Sequence, residues 1–460
     1  MKDRKTISLG AAAGLAVWAL AAAIHGPEAR AAARPNVLLI YTDDQGSVDL
    51  GCYGATDLVT PHADALAARG VRFTQFYSAA PVCSPSRAAV LTGRYPQRAG
   101  VPGNVSSMAG HPGMPAGQVT LAELLRRAGY FTAHVGKWHL GYTPETMPNG
   151  QGFDHSFGHM GGCIDNFSHF FYWNGPNRHD LHRNGIEVHA PGRFFPDLMV
   201  EEIEWLLDHR PRTKPFFIYC AFNMPHYPYQ GDVKWLRYYQ GRVPYPRDLY
   251  AAFVSTLDER VGRVLRMLDE RGLREETIVI YQSDNGHSVE ERAHRGGGSA
   301  GPYRGHKFSL FEGGIRLPAI ISWPGHLPEG EVRDQLATAC DWLPTVLDLC
   351  GLPPATHRID GRSLRAVLAS AEAPSPHERF FWQSGGGRSR PQWAVREGPW
   401  KLVVHGIGAG PDEQTFLANL TEDPGERHNR AADYPELVRR LTRAHEDWLR
   451  DVTPDRGAGR

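Results

Sequence analysis

Apolar residues fall in two kinds of run along this chain, and their alternation predicts the architecture. Residues 36–41 (NVLLIY) are continuously apolar, the pattern of a strand buried on both faces. Strand-like runs recur at 130–135, 216–222, 277–282 and 319–323, and residues 71–77 alternate as a half-buried strand does. Helical segments stand between them. Thr60-Pro61 opens one, with threonine as N-cap and proline in the first turn, and Gly70 closes it. Thr120 and Glu123 form a capping box that leads Leu121, Leu124, Leu125 and Ala128 onto one helical face, ended by Gly129. A longer amphipathic helix carries Phe253, Leu257, Val261, Val264, Leu265 and Leu268. Strands separated by helices predict an α/β fold, a large mixed and mostly parallel β-sheet flanked by helices.

The pattern changes at 370–376 (SAEAPSP), which reads as a linker. Beyond it come short strands at 380–383, 393–396 and 400–404, then a helix capped at Asp433 with Glu436 at its third position and Leu437, Leu441, Ala444 and Trp448 on its buried face. This predicts a small C-terminal α+β domain with a short antiparallel sheet, residues 377–460, after a catalytic domain at 32–372. The start of the chain differs again. Lys2, Arg4 and Lys5 precede an apolar stretch at 9–24, then Gly26, Pro27 and the small-x-small triplet Ala29-Arg30-Ala31. Residues 1–31 therefore read as a signal peptide, with an uncleaved anchor as the alternative, and the mature protein as exported, periplasmic or secreted. No stable membrane insertion is expected after cleavage.

Composition narrows the classes. The 460 residues carry 50 Lys+Arg against 50 Asp+Glu, so no global basic field gathers phosphates and a nucleic-acid partner is not expected. The 50 Gly and 35 Pro imply many loops, and 11 Trp, 17 Tyr and 19 Phe require a core to bury them. Six cysteines with no C-x-x-C pair make neither a disulfide scaffold nor a zinc ribbon; Cys340 and Cys350 could bridge.

Two pairs of oxygen-bearing side chains follow strands: Asp43-Asp44 after 36–41 and Asp284-Asn285 after 277–282. Loops at the carboxyl ends of parallel strands face the ligand crevice, so these pairs converge if both strands are central. Carboxylate and amide oxygens suit Ca²⁺ or Mg²⁺; singly, each pair is equally the chemistry of a turn. Cys83 precedes a short helix, either as a buried thiol or as a nucleophile at a helix N-terminus, with Arg87 one turn on.

Cys83-x-Pro85-Ser86-Arg87-x-x-x-Leu91-Thr92-Gly93-Arg94 resembles the signature of the type I sulfatases, the formylglycine-dependent branch of the alkaline phosphatase superfamily that contains arylsulfatase A and N-acetylgalactosamine-6-sulfatase. Residues 129–141 (GYFTAHVGKWHLG) resemble the second family signature, and 283–286, 304–307, 312–318 and 419–426 follow in family order. The resemblance implies an alkaline phosphatase-like fold and a sulfatase, with Cys83 oxidised by a formylglycine-generating enzyme to Cα-formylglycine. The hydrated aldehyde has two hydroxyls, one to attack sulfur and one to lose a proton as sulfate leaves, which a single hydroxyl could not do. By position, Asp43, Asp44, Asp284 and Asn285 would hold one Ca²⁺, which also touches residue 83. Arg87 would bond the formylglycine hydroxyls, and Lys137, His226 and Lys307 would surround the sulfate. His139 would take the proton when sulfate is eliminated, and His226 or Lys307 would assist the departing alcohol. Cys163, after Gly162, stands where family members often place a sulfate contact.

The aromatic and histidine-rich insert at 164–188 predicts a sulfated carbohydrate as substrate, with rings that merely pack beneath loops as the alternative, and the glycine-rich stretch at 292–303 a mobile rim. Two alternatives remain: a phosphonate or phosphate ester hydrolase of the same superfamily, and a catalytically dead sugar-binding homologue.

Overall fold

The computed structural model describes residues 34–173, 177–385 and 390–453, so the expected signal peptide lies outside the described residues. From Pro35 onward the chain forms one compact unit. Its strands, in chain order, begin with β1 (Asn36–Thr42), β2 (Val71–Phe73), β3 (Phe76–Tyr77), β4 (Phe131–Lys137) and β5 (His155–His159). Short strands of the insert follow: β6 (Phe170–Phe171), β7 (Arg178–His179), β8 (His182–Arg183) and β9 (Ile186–Glu187). Next come β10 (Phe216–Ala221), β11 (Thr277–Ser283), β12 (Ala319–Ser322), β13 (Glu331–Arg333) and β14 (Ala337–Thr338). The last four are β15 (Arg379–Ser384), β16 (Gln392–Glu397), β17 (Trp400–Val404) and β18 (Thr415–Asn419).

Ten strands form the main sheet in the order β13-β2-β12-β11-β1-β10-β4-β5-β8-β9. Its centre, β11-β1-β10-β4-β5, is parallel throughout, and antiparallel pairs flank it on both sides. The expected mixed, mostly parallel sheet is thus the observed one. Every residue of β1, β10 and β11 is buried, because helices cover both faces and leave no side for polar residues.

The helices are α1 (Pro61–Ala68), α2 (Cys83–Thr92), α3 (Leu121–Arg127), α4 (Phe195–His209), α5 (Val233–Tyr239) and α6 (Arg247–Glu270). They continue as α7 (Glu312–Ile315), α8 (Trp342–Leu349), α9 (Arg365–Ala369) and α10 (Pro435–Val452). Leu38 and Ile40 of β1 face α1, α4 and α6, whereas Val37, Leu39 and Tyr41 face α2, α3 and α8. One strand therefore supplies two cores by simple alternation.

Five local expectations need correction. The run at 71–77 is two strands: β2 joins the main sheet, while β3 pairs with β14 in a separate one, because Thr74 and Gln75 break the alternation. Thr60 stands at the N-cap of α1, but its hydroxyl turns to Asp64, and Asp258 of α6 accepts the backbone N–H groups of His62 (3.0 Å) and Ala63 (2.8 Å) instead. Asp433 does not cap α10, which starts at Pro435 behind Tyr434; its carboxylate accepts from Arg430 Nε at 2.7 Å. The glycine-rich stretch at 292–303 is tied down, with Ser299 N donating to Asp49 Oδ2 (2.8 Å) and Arg247 to the Gly297 carbonyl (3.0 Å). Cys340 carries a free thiol, so it does not bridge to Cys350.

β15, β16, β17 and β18 form an antiparallel sheet packed on the rest of the molecule, with α10 against it. Trp382 and Trp448 are buried there beside Tyr77 and Tyr95. A buried charge cluster joins sheet to core: Lys401 Nζ lies 2.8 Å from Glu312 Oε1 and 3.0 Å from Glu426 Oε1.

Candidate active site

Four adjacent parallel strands end at one place. In sheet order they deliver Asp284 and Asn285 after β11, Asp43 and Asp44 after β1, His226 after β10, and Lys137 and His139 at and after β4. This is the carboxyl edge where an α/β sheet opens to ligands. Gly136 lets β4 and β10 approach there, since a Cβ on it would strike the Ala221 carbonyl oxygen. Cys83 comes from the other direction as the first residue of α2, with Val82 as N-cap.

The acids form a buried cradle. Asp43, Asp44, Asp284 and Asn285 are at most 1% exposed. Asn285 Nδ2 donates to Asp44 Oδ1 at 2.7 Å, and the Asp44 backbone N–H to Asp284 Oδ1 at 3.1 Å. Oxygens of Asp43 and Asp44 and the Cys83 sulfur lie within 4.8 Å of one another, with Sγ 3.7 Å from Asp43 Oδ1. Burial and the Asp43 charge push the Asp284 carboxyl up to about 7, and the same two causes act on Asp44, offset in part by Lys307. Asn285 Oδ1 is buried with no hydrogen-bond partner. Crowded carboxylates that resist ionising, plus an unspent amide oxygen, are what a hard divalent cation relieves, so these residues fit Ca²⁺.

Cations surround the cradle. Lys137 Nζ donates to Asp43 Oδ2 at 2.6 Å and Lys307 Nζ to Asp44 Oδ2 at 2.9 Å. Arg87 Nη2 donates to Asp284 Oδ2 at 2.8 Å and Nη1 to the Lys137 carbonyl at 3.1 Å, which fixes the guanidinium one turn behind Cys83. Burial would raise the Asp43 carboxyl, but Lys137, His226 and Arg87 hold it well below the usual range. His139 is lowered by burial and by the Lys137 and Arg87 charges, so it stands neutral, with Nδ1 unpartnered. His226 Nδ1 donates to the Tyr227 carbonyl at 2.7 Å, leaving Nε2 as an acceptor 3.7 Å from Asp44 Oδ2.

A cavity of about 260 Å³ opens onto this cluster. Cys83, His139, Cys163, His226 and Lys307 line it, while Lys137, Arg87 and the cradle are buried beside Cys83. All the residues singled out in the sequence thus meet at one site. Asn104, Ser107, Tyr227 and Glu290 also line the cavity and carried no sequence signal, since they lie on loops without period or motif. Glu290 engages the site directly, 3.3 Å from Lys307 Nζ.

A central parallel sheet that ends in a carboxylate cradle, met by a helix-initiating cysteine and buried lysines, is the arrangement expected from the resemblance to the alkaline phosphatase superfamily. Comparison with known proteins narrows the class. The chain belongs to the sulfatase family: the Sulfatase model matches residues 35–352, and that of the N-sulphoglucosamine sulphohydrolase C-terminal region matches 304–449. It is 35% identical over 449 residues to arylsulfatase A of Bos taurus, covering 90% of this chain and 86% of that one. It is 32% identical over 463 residues to N-acetylgalactosamine-6-sulfatase of Homo sapiens, covering 91% and 87%. It also superposes on the crystal structure of Ps i-CgsB in complex with k-i-k-neocarrahexaose, with TM-score 0.81 at 29% identity over 90% of this chain and 92% of that one. Its activity is that of a sulfuric ester hydrolase.

Proposed function

We propose that this sulfatase removes sulfate from a sulfated carbohydrate, using Cα-formylglycine made from Cys83 and one Ca²⁺ held by Asp43, Asp44, Asp284 and Asn285. The observation that carries this reading is the approach of Cys83 Sγ to the cradle, 3.7 Å from Asp43 Oδ1, inside a ring of Lys137, Lys307, His139 and His226. Bound Ca²⁺ would offset the cradle's charge and polarise a sulfate oxygen. Formylglycine hydrate would supply the attacking hydroxyl and a second hydroxyl whose proton is lost as sulfate departs.

The remaining chemistry falls to the chain itself. Lys137 and Lys307 present ammonium groups to the sulfate oxygens in a buried site, where each such contact is worth about 2–4 kcal/mol of barrier. Arg87, held by Asp284 and the Lys137 carbonyl, orients residue 83. His139, neutral, is the base for the second hydroxyl. Between His226 and Lys307 the hydrogen bonds favour Lys307 as donor to the departing alcohol, because His226 spends its Nδ1 proton on the Tyr227 carbonyl. Cys163, in the cavity wall after Gly162, would contact the sulfate.

Support for a sugar comes from the cavity wall. Phe171, Trp173 and Tyr227 offer ring faces, and Asn104, Ser107 and Glu290 offer hydrogen-bonding groups. Trp173 is 41% exposed, as an aromatic platform for a sugar should be. The basic and apolar leader at 1–31 supports export to the periplasm or medium, and a formylglycine-generating enzyme is the maturation partner. The domain division at 372–377 belongs to the same reading.

A panel of sulfated mono- and oligosaccharides, run beside the sulfate and phosphate esters of one aryl alcohol, tests the assignment. Turnover of sulfated sugars and preference for sulfate over phosphate are expected; turnover of aryl sulfates alone contradicts the carbohydrate assignment.

A further inference from the structure

The insert that forms the cavity wall brings a second set of metal-binding side chains together. His179 ends β7, Glu187 ends β9, and His189 follows two residues later. One ligand atom from each lies within 4.8 Å of the other two. His179 Nδ1 stands 2.8 Å from Glu187 Oε1, and the rings of His179 and His189 stack with centroids 4.3 Å apart. None of the three lines the substrate cavity.

The backbone explains the convergence. β8 and β9 form a hairpin at the edge of the main sheet, pairing His182 with Glu187. His189 follows the end of β9 by two residues, and its ligand atom lies within 4.8 Å of that of Glu187. His179 arrives from β7, where it pairs with Phe170 of β6. His179 is half-buried, whereas Glu187 and His189 are exposed, which leaves solvent a path to the site. Behind His179 stands His169, its ring centroid 6.0 Å away. His169 Nε2 bonds the Arg193 carbonyl at 2.9 Å, and its Nδ1 is buried without a hydrogen-bond partner.

Two imidazoles and a carboxylate are the ligand set of Zn²⁺ and similar first-row ions, while Ca²⁺ prefers oxygen alone. We propose that His179, Glu187 and His189 bind a transition-metal ion of the Zn²⁺ class, separately from the all-oxygen cradle. The ion ties β7 to the β9 edge. The consequence reaches the substrate, because β7 pairs with β6 and Phe171 of β6 lines the cavity.

Calorimetric titration of Zn²⁺ into the full chain, in excess Ca²⁺ to fill the cradle, tests this. One Zn²⁺ per chain is expected. Loss of a supporting outer contact costs 10–100-fold in metal affinity, so loss of a direct ligand in His189→Ala or Glu187→Gln should weaken binding by about 100-fold. Both positions are exposed, and unchanged thermal midpoints without Zn²⁺ should confirm intact folding. Zn²⁺ binding that excess Ca²⁺ abolishes, or that both variants retain at wild-type strength, overturns the proposal.

Discussion

The Cys83 thiol, at the first turn of α2, is pushed up to about 12 by burial. A helix N-terminus favours a thiolate, but here desolvation wins, so unmodified Cys83 is a poor nucleophile at neutral pH. This agrees with the proposed reading, in which oxidised residue 83, and not the thiol, acts as nucleophile. His139 illustrates how tightly the surroundings are packed. Its φ is +53°, and a Cβ on Gly162 would come within 2.7 Å of its Cε1. Gly162→Ala should therefore displace the imidazole and lower kcat by roughly 100-fold, the scale of a lost general base, while the thermal midpoint barely moves; assays with an aryl sulfate beside a melting curve would check both. At this scale the sequence was readable where a motif carries the chemistry, as for Cys83, Lys137 and Lys307. It was silent on Glu290, whose place beside Lys307 depends on how a loop folds.

Among the elements, β1, β10 and β11 were legible because burial on both faces leaves a nearly continuous apolar run. β5 was not: His155, Ser156 and His159 are buried polar residues, so tertiary pairing with β4, and not pattern, makes that strand. The two-residue strands of the insert give too little sequence to show a period. Caps divide the same way. The box at α3 forms as expected, Glu123 N donating to Thr120 Oγ1 at 3.1 Å. Those of α1 and α10 do not, because Asp258 supplies the first from a distant helix and Pro435 begins the second. Thr120→Ala should cost about 1 kcal/mol of stability in urea denaturation without altering kcat, since α3 packs beneath the sheet and lines no part of the cavity.

Over the whole molecule, equal numbers of acidic and basic residues leave no net charge, yet charge is concentrated where it is buried. The Glu312–Lys401–Glu426 cluster is one such place, bonding the C-terminal sheet to α7. Burial, with Glu312 close by, pushes Glu426 up to about 7 despite Lys401, whereas Lys401, Arg316 and Arg396 overcome burial and bring Glu312 down to about 2. Because the folded value of Glu426 is raised, its contribution to stability is complete below about pH 4.5 and is lost as pH rises through 7. Glu312 acts oppositely, contributing above about pH 4.5 and losing that contribution as pH falls toward 2. From about pH 5 to pH 8 the thermal midpoint of the wild type should fall relative to that of Glu426→Gln, by a degree or two for a chain of this size. Parallel slopes for the two proteins would refute the assignment.

The central claim concerns residue 83, and mass spectrometry of the peptide spanning it, taken from active enzyme, tests that claim most directly. Formylglycine at position 83 is the result expected, rising in proportion to specific activity when a formylglycine-generating enzyme is supplied. Full sulfatase activity from protein whose residue 83 is entirely unmodified cysteine would contradict the account.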